Sequence, residues 1–165
     1  MRAPLTILYD GWPLHYEPNH PAALHLFALL TQLPPSIQAL LALPAEPGEL
    51  LALPDAIQIE CVEIPNNPIA RLSWEQRRLP ELARRFGARL VHLTHANPAL
   101  FATPNTVISP TSLLDRQEWT SSLPGRLRAA VSAGGIAEIN CSSDAVVCAC
   151  IALGSTRYHI YPPAA

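Results

Sequence analysis

The sequence predicts an α/β domain built on a mainly parallel sheet, with helices on both faces of that sheet. Segment 71–110 contains a helix pattern, an apolar run, a loop and a second strand pattern in unbroken order. Its run 90–94 is almost wholly apolar, which is typical of a strand buried on both sides by helices. Hydrophobic residues make up 49% of the 165 residues and charged residues 15%, a balance that excludes a disordered chain. We expect residues 1–165 to form a single domain.

The first strand is predicted at 5–9, before the turn-like sequence Asp10-Gly11-Trp12-Pro13. A proline-containing loop then leads to a helix predicted over 21–33, because Pro21 suits a first helical position and Pro34-Pro35 stops the helix.

Two strand patterns follow the first helix. The run 37–43 is short, apolar and bounded by prolines. The run 57–64 alternates only partly between apolar and polar residues, which predicts an edge strand near the end of the sheet.

The next helix is charged, and Ser73 and Gln76 have the spacing of a capping box at its start. Pro80 predicts either a kink or a second helix that begins with Pro80 in its first turn. An apolar stripe continues to Phe86, and Gly87 is predicted to end the helix.

The remaining elements extend the alternation. Strands are predicted at 106–109, next to 90–94, and at 136–140 and 158–161, with helices over 124–133 and after a cap at Ser142 or Ser143. The sheet is therefore expected to contain about six to seven strands.

Charge and composition exclude several classes of protein. The formal charge is -2 and the pI is about 6.3, so the chain has no electrostatic footprint for nucleic acid. No apolar run approaches the roughly 18 residues that span a bilayer, and no signal-peptide pattern precedes the first strand, so we expect a cytoplasmic location. The four cysteines show no metal-ligand spacing and are predicted to be small core residues.

Familiar catalytic motifs are absent from the sequence. It contains no G-x-G-x-x-G after the first strand, no phosphate-binding P-loop and no G-x-S-x-G nucleophile elbow. His92 and His95 would lie on opposite faces of a strand, so no metal site is predicted, and His92 is expected to be a hydrogen-bonded histidine inside the sheet.

Two groups of residues are predicted at the carboxyl edge of the sheet, where ligands bind in parallel α/β folds. His95 and Asn97 follow the strand 90–94, and His95 is either a polar contact or proton acceptor, or a residue that fixes the loop. A second group follows the first strand and forms either a capped turn or a ligand-binding wall. Its members are Asp10, Gly11, Trp12, Asn19 and His20.

Four stretches of the chain resemble the amino-terminal half of group 1 (family 4) glycosyltransferases of the GT-B fold. They are W-E-Q-x-x-L-P at 74–80, GARLVHLTHANPAL at 87–100, TVISPTSLLD at 106–115 and the tail IAEINCSSDAVVCACIALGSTRYHIYPPAA at 136–165. The resemblance implies a Rossmann-like three-layer α/β/α domain that faces a second such domain across a cleft.

The resemblance also implies partners and roles. The acceptor-side domain would meet a sugar or another hydroxyl-bearing acceptor, while a carboxyl-terminal domain of the same polypeptide, expected beyond Ala165, would hold the nucleotide-sugar donor. This half would then bind no cofactor itself and be inactive alone, and the full enzyme could associate peripherally with membranes. Thr111 and Ser112 stand where family members commonly carry a His-Asp pair, so they are expected to contact the acceptor only.

Two hypotheses for function remain open. In the first, the chain is the acceptor-side domain of a hexosyltransferase-type enzyme. In the second, it is a stand-alone noncatalytic binding domain with a glycosyltransferase-like fold. A third interpretation, a small flavodoxin-like or hydrolase enzyme, is disfavoured because the sequence shows no nucleophile or cofactor loop.

Overall fold

A computed structural model of the chain describes residues 4–47, 53–94, 105–108, 136–141 and 158–160. Its centre is a four-stranded parallel sheet in the order β3-β2-β1-β4, as the α/β prediction requires. The strands are β1 (Leu5–Asp10), β2 (Ile37–Leu43), β3 (Gln58–Cys61) and β4 (Leu90–Leu93). The helices are α1 (Trp12–Tyr16), α2 (Pro21–Thr31), α3 (Pro68–Ser73), a π-helical segment (Trp74–Arg78) and α4 (Leu79–Arg85).

Strand β3 lies at the edge of the sheet, which confirms the prediction made from its partial alternation. The strand is shorter than the predicted 57–64 and ends at Cys61. Pairing with β2 nevertheless continues past that point, because the N–H of Val62 donates to the carbonyl of Leu43 at 2.9 Å.

Helices cover both faces of the four-stranded sheet. Because successive side chains of a strand point to opposite faces, Leu8 of β1 packs on one side and Ile7 and Tyr9 on the other. The Leu8 side packs against the π segment and α4, and the opposite side packs against α2. The apolar composition of β1, β2 and β4 follows from this two-sided burial.

Helix α1 lies in a stretch for which the sequence predicts a long loop. The carboxylate of Asp10 accepts a hydrogen bond from the N–H of Trp12, and Pro13 occupies the first turn, where its missing N–H costs nothing. The next helix, α2, ends at Thr31, earlier than the predicted residue 33, and the N–H of Gln32 donates to the carbonyl of Leu29 at 3.1 Å.

The predicted capping box at Ser73 is wrong. The helical run begins at Pro68, because the side-chain oxygen of Asn67 accepts a hydrogen bond from the N–H of Ala70 at 2.8 Å. Ser73 has helical dihedral angles and makes no capping hydrogen bond. Asn67 lies in the stretch that the sequence marks only as a break, and the earlier cap leaves Ser73 inside the helix.

A π turn accommodates Pro80. The N–H of Leu79 donates to the carbonyl of Trp74, five residues back, and α4 then starts with Pro80 in its first turn. This is the second of the two predicted alternatives. Proline supplies no N–H, so the wider turn before it avoids a gap in a regular α-helical ladder. Gly87 ends the run with φ of +65°, as predicted.

Three further strands pair in parallel beyond β4. They are β5 (Asn105–Ile108), β6 (Ile136–Cys141) and β7 (Tyr158–Ile160), in that order. The predicted helices at 124–133 and after Ser142 or Ser143 lie outside the described residues, as do all the connections between β4 and β7.

Candidate functional site

The candidate site lies at the carboxyl ends of β1 and β4. From β1 the chain passes to β2 on one side, whereas β4 pairs with β1 on the other side, so the direction of winding reverses between β1 and β4. Ligands of parallel α/β sheets bind at such a switch point. Tyr9 is in register with His92, so Gly11 and Thr94 follow at the same edge on neighbouring strands.

Asp10 ends β1 and is fully buried. Its Oδ1 accepts two hydrogen bonds, one from the N–H of Trp12 at 3.0 Å and one from the indole Nε1 of Trp74 at 2.8 Å. A buried carboxylate is stable only where polar partners compensate for lost water. Asp10 therefore joins the end of β1 to the start of α1 and to the π segment.

Gly11 lies against β2. Its N–H donates to the carbonyl of Ala42 at 2.8 Å. A Cβ at this position would meet that carbonyl oxygen at 2.4 Å and Cδ2 of Leu43 at 2.6 Å. Glycine is therefore required here because the backbone of β2 lies so close, and not because φ is positive.

Three aromatic side chains form a cluster above this strand end. The ring of Trp12 lies 4.7 Å from that of Tyr16 and 6.1 Å from that of Trp74, measured between centroids in tilted arrangements. The hydroxyl of Tyr16 donates a hydrogen bond to the carbonyl of Ile64, in the chain that follows β3. The cluster thus fixes α1 between the edge of the sheet and the helical run.

Arg71 is surrounded by carboxylates. Its Nη1 contacts Oε1 of Glu17 at 2.8 Å and its Nε contacts Oε1 of Glu75 at 3.2 Å, while its guanidinium carbon lies 5.7 Å from the centroid of the Trp12 ring. Burial alone would lower the pKa of Arg71, but the charges of Glu75, Glu17 and Asp10 outweigh that effect and raise the pKa above its usual value.

Asn19 and His20 occupy the turn before α2. His20 caps the helix, since its Nδ1 accepts from the N–H of Ala22 at 3.2 Å. Asn19 is exposed. The capped-turn interpretation is therefore confirmed for His20, while a contact of Asn19 or His20 with a ligand stays a prediction.

His92 lies inside the sheet, as predicted, and is buried. Its ring lies 5.3 Å from that of Tyr9 on the adjacent strand. Burial, with a smaller contribution from the charge of His25, lowers the pKa of His92 to about 4. Burial also raises the pKa of Tyr9 to about 12. Both groups are neutral over the physiological range.

Two buried polar atoms at this edge have no hydrogen-bond partner among the described residues: Nε1 of Trp12 and Oγ1 of Thr94. Such atoms are uncommon in folded proteins, because an unpaired buried polar group costs free energy.

The remaining predicted site residues lie outside the described ranges. They are His95, Asn97, Thr111 and Ser112.

Sequence reasoning missed the charged residues that organise the edge. Arg71 and Glu75 have helical i,i+4 spacing, which could have indicated their ion pair. Glu17 lies 54 positions from Arg71, and no local pattern could have linked the two. The contact of Trp74 with Asp10 adds a further connection between the helical run and the carboxyl edge.

The fold and the edge together define a parallel α/β domain with a buried, hydrogen-bonded strand terminus at its switch point. The chain matches none of the known protein-family models, and no curated protein matches it.

Within the described residues, no three side chains of His, Cys, Asp or Glu lie close enough together to hold a metal ion. The helices of those residues include none that is both long and apolar enough to cross a membrane.

Proposed function

We propose that this chain is the acceptor-side domain of a glycosyltransferase that moves a sugar from a nucleotide-sugar to a hydroxyl group. The proposal joins two lines of support. One is the ordered resemblance of segments 74–80, 87–100, 106–115 and 136–165 to GT-B enzymes. The other is the parallel sheet, because ligands of such sheets bind at the switch point.

The observation that carries the proposal is the pair of unpartnered polar atoms at the carboxyl edge. Nε1 of Trp12 and Oγ1 of Thr94 are buried, and among the described residues nothing accepts from or donates to them. A hydroxyl-rich ligand offers both donors and acceptors, so it would pair with these groups where an opening of the edge exposes them. His95 follows Thr94 directly in the sequence and is the candidate catalytic residue.

The fuller architecture belongs to the same proposal. Strands β5 to β7 would complete a Rossmann-like three-layer α/β/α domain of six to seven strands. A donor-binding domain of the same polypeptide would then close a cleft over the edge. Asp10, Gly11 and Trp12 would give this cleft its shape, and Asn19, His20, Asn97, Thr111 and Ser112 would contact the acceptor.

Catalysis in this scheme depends mainly on positioning and electrostatic stabilisation at the cleft. Thr111 and Ser112 are poor general bases near neutral pH without an activating partner. His95 is the better proton acceptor because its usual pKa lies near neutrality.

The test uses the product of the gene read past Ala165. Calorimetry would measure the binding of a panel of nucleotide-sugars, and product analysis would detect transfer or hydrolysis. The His95→Ala change should lower kcat, whereas Thr111→Ala and Ser112→Ala should mainly raise KM for the acceptor. Asp55→Asn, in an exposed turn, serves as the control. A gene product that neither binds nor turns over any nucleotide-sugar would contradict the proposal.

A second candidate is a stand-alone noncatalytic binding domain. Two observations favour it: Asp10 is buried and already bonded to Trp12 and Trp74, and Thr111 and Ser112 stand in place of the family's His-Asp pair. A stop codon directly after Ala165, together with glycan binding and no donor binding, would favour this candidate over the enzyme.

A further inference from the structure

Residues 15–19, His-Tyr-Glu-Pro-Asn, form a strap that leads from the last turn of α1 to the cap of α2. Before the strap, residues 11–14 are all buried, and Leu14 packs in the core on the α2 side of the sheet. After the strap, His20 caps α2. The strap itself is only partly buried at 15–17 and is exposed at 18–19. It is therefore a short, partly exposed segment between two fixed ends.

The strap covers Trp12. The ring of Tyr16 lies 4.7 Å from that of Trp12, and the guanidinium carbon of Arg71 lies 5.7 Å from the same centroid. Tyr16 and Arg71 are both partly exposed, whereas Trp74, on another side of Trp12, is fully buried. A route from solvent to the buried Nε1 of Trp12 therefore leads past Tyr16 and Arg71.

Two contacts hold the strap closed, one to each neighbouring segment. The hydroxyl of Tyr16 donates to the carbonyl of Ile64, after β3. Nη1 of Arg71, on α3, contacts Oε1 of Glu17 at 2.8 Å. The side chains of this ion pair are 26% and 36% exposed. Ion pairs that water reaches contribute roughly 1 kcal/mol or less, so the second contact is the easier one to break.

Breaking the Arg71–Glu17 pair leaves neither charge stranded in the interior. Nε of Arg71 keeps its contact of 3.2 Å with Glu75, which is buried, while Glu17 is already exposed enough to be hydrated. Helix α1 has five residues, and a helix of that length has little stability of its own in water. Its last turn therefore depends on the two contacts of the strap.

We propose that the strap is a lid, which opens over Trp12 when the Glu17–Arg71 ion pair breaks and thereby gives ligand access to Nε1 of Trp12. Residues 11–14 stay in place during the opening, held by the core and by the hydrogen bond from Trp12 to Asp10. The opening itself is a property of this chain alone. Only the entry of a hydroxyl-rich ligand rests on the proposed function.

The experiment measures hydrogen–deuterium exchange of the indole N–H groups of Trp12 and Trp74 by NMR, with the full chain and no ligand. Trp74 is the internal reference, because its N–H is bonded to the buried Asp10. Glu17→Gln should accelerate exchange at Trp12 roughly two- to fivefold and leave Trp74 unchanged. Tyr16→Phe, which removes the other contact, should accelerate Trp12 roughly tenfold or less.

Salt provides a second measurement of the same ion pair. About 0.5 M salt should accelerate exchange at Trp12 in the unmodified chain, because it screens partly exposed charges. It should add little in Glu17→Gln, where the ion pair is already gone. Glu81→Gln is the matched control. It removes the 3.2 Å ion pair between Glu81 and Arg78, which does not involve the strap, and it should leave exchange at Trp12 unchanged.

Three results would overturn the proposal. The first is equal acceleration of Trp12 and Trp74 in Glu17→Gln, which would mean that exchange occurs through unfolding of the whole domain. The second is no acceleration of Trp12 in that variant. The third is an equal effect of Glu81→Gln. Because no sugar is present, each of these outcomes bears on the strap and leaves the test with nucleotide-sugars independent.

Discussion

The indole Nε1 of Trp74 donates a hydrogen bond of 2.8 Å to Oδ1 of Asp10, across 64 positions of sequence and entirely within the buried interior. The same oxygen accepts from the N–H of Trp12. One carboxylate therefore holds together the end of β1, the start of α1 and the π segment, which together build the candidate site. The organisation of this edge depends on that carboxylate.

Replacing Asp10 by alanine should lower the free energy of unfolding by about 3 kcal/mol, because it leaves the buried indole N–H of Trp74 without an acceptor. Asp10→Asn should cost less, since its side-chain carbonyl can still accept. Urea unfolding measures both values. The exposed Asp55→Ala serves as the control and should change stability by roughly 0.5 kcal/mol or less. Equal losses for the alanine and asparagine variants would argue against the assigned hydrogen bond.

The two glycines Gly11 and Gly87 should respond differently to substitution. Gly11→Ala should cost about 3 kcal/mol, because the added Cβ meets the Ala42 carbonyl oxygen at 2.4 Å. Gly87→Ala should cost only about 1 kcal/mol, since that position has φ of +65° but nothing within 4 Å of an added Cβ.

Asparagine substitutions distinguish these two causes. Gly87→Asn should be milder than Gly87→Ala, because asparagine tolerates the left-handed region, whereas Gly11→Asn should be worse than Gly11→Ala. The same order of effects at both positions, measured by urea unfolding, would contradict the steric account of Gly11.

The parts of the fold that depend on local pattern could be predicted from the sequence, and so could the position of Asp10, Gly11 and Trp12 at the carboxyl edge. The contacts that organise this edge could not. Short apolar runs, typical of strands buried on both faces, indicated β1, β2 and β4. Gly87 indicated the end of α4. The helix α1 was missed because it starts through a side-chain contact of Asp10, within a sequence rich in turn-forming residues. The contacts of Arg71 with Glu17 and of Asp10 with Trp74 join distant segments, so no local pattern encodes them.

Arg71 and Glu17 should contribute unequally to stability, although they form an ion pair. Arg71→Ala should lower the free energy of unfolding by about 2 to 3 kcal/mol, because it removes a charge partner of the buried Glu75. Glu17→Ala should cost less than about 1 kcal/mol, since the Glu17 side chain is partly exposed. Urea unfolding at low and high salt measures both losses, and only the smaller one should diminish with salt.

Arg71→Lys provides the matched variant for that comparison. It keeps the positive charge but loses the guanidinium fork that contacts Glu17 and Glu75 at once. Its stability should fall between those of the unmodified chain and Arg71→Ala. If Glu17→Ala were as damaging as Arg71→Ala, the burial of Glu75 would not be the main cause.

The free energy of unfolding should fall as the pH is lowered, because of His92. The pKa of His92 is about 4 in the folded chain and 6.5 in an unperturbed histidine, so between these values the unfolded state binds more protons than the folded state. Its contribution is fully present above pH 6.5 and is lost progressively as the pH falls toward 4. The total is on the order of 3 kcal/mol. His25, whose pKa burial also lowers, changes stability in the same direction.

Urea unfolding between pH 7 and about 4, compared for the unmodified chain and His92→Gln, measures this contribution. Glutamine keeps a polar side chain beside Tyr9 but cannot take up a proton in this range, so the variant should show a flatter dependence on pH. Identical slopes for the two proteins would mean that His92 binds its proton equally well in both states, and that its burial beside Tyr9 has no effect on its pKa.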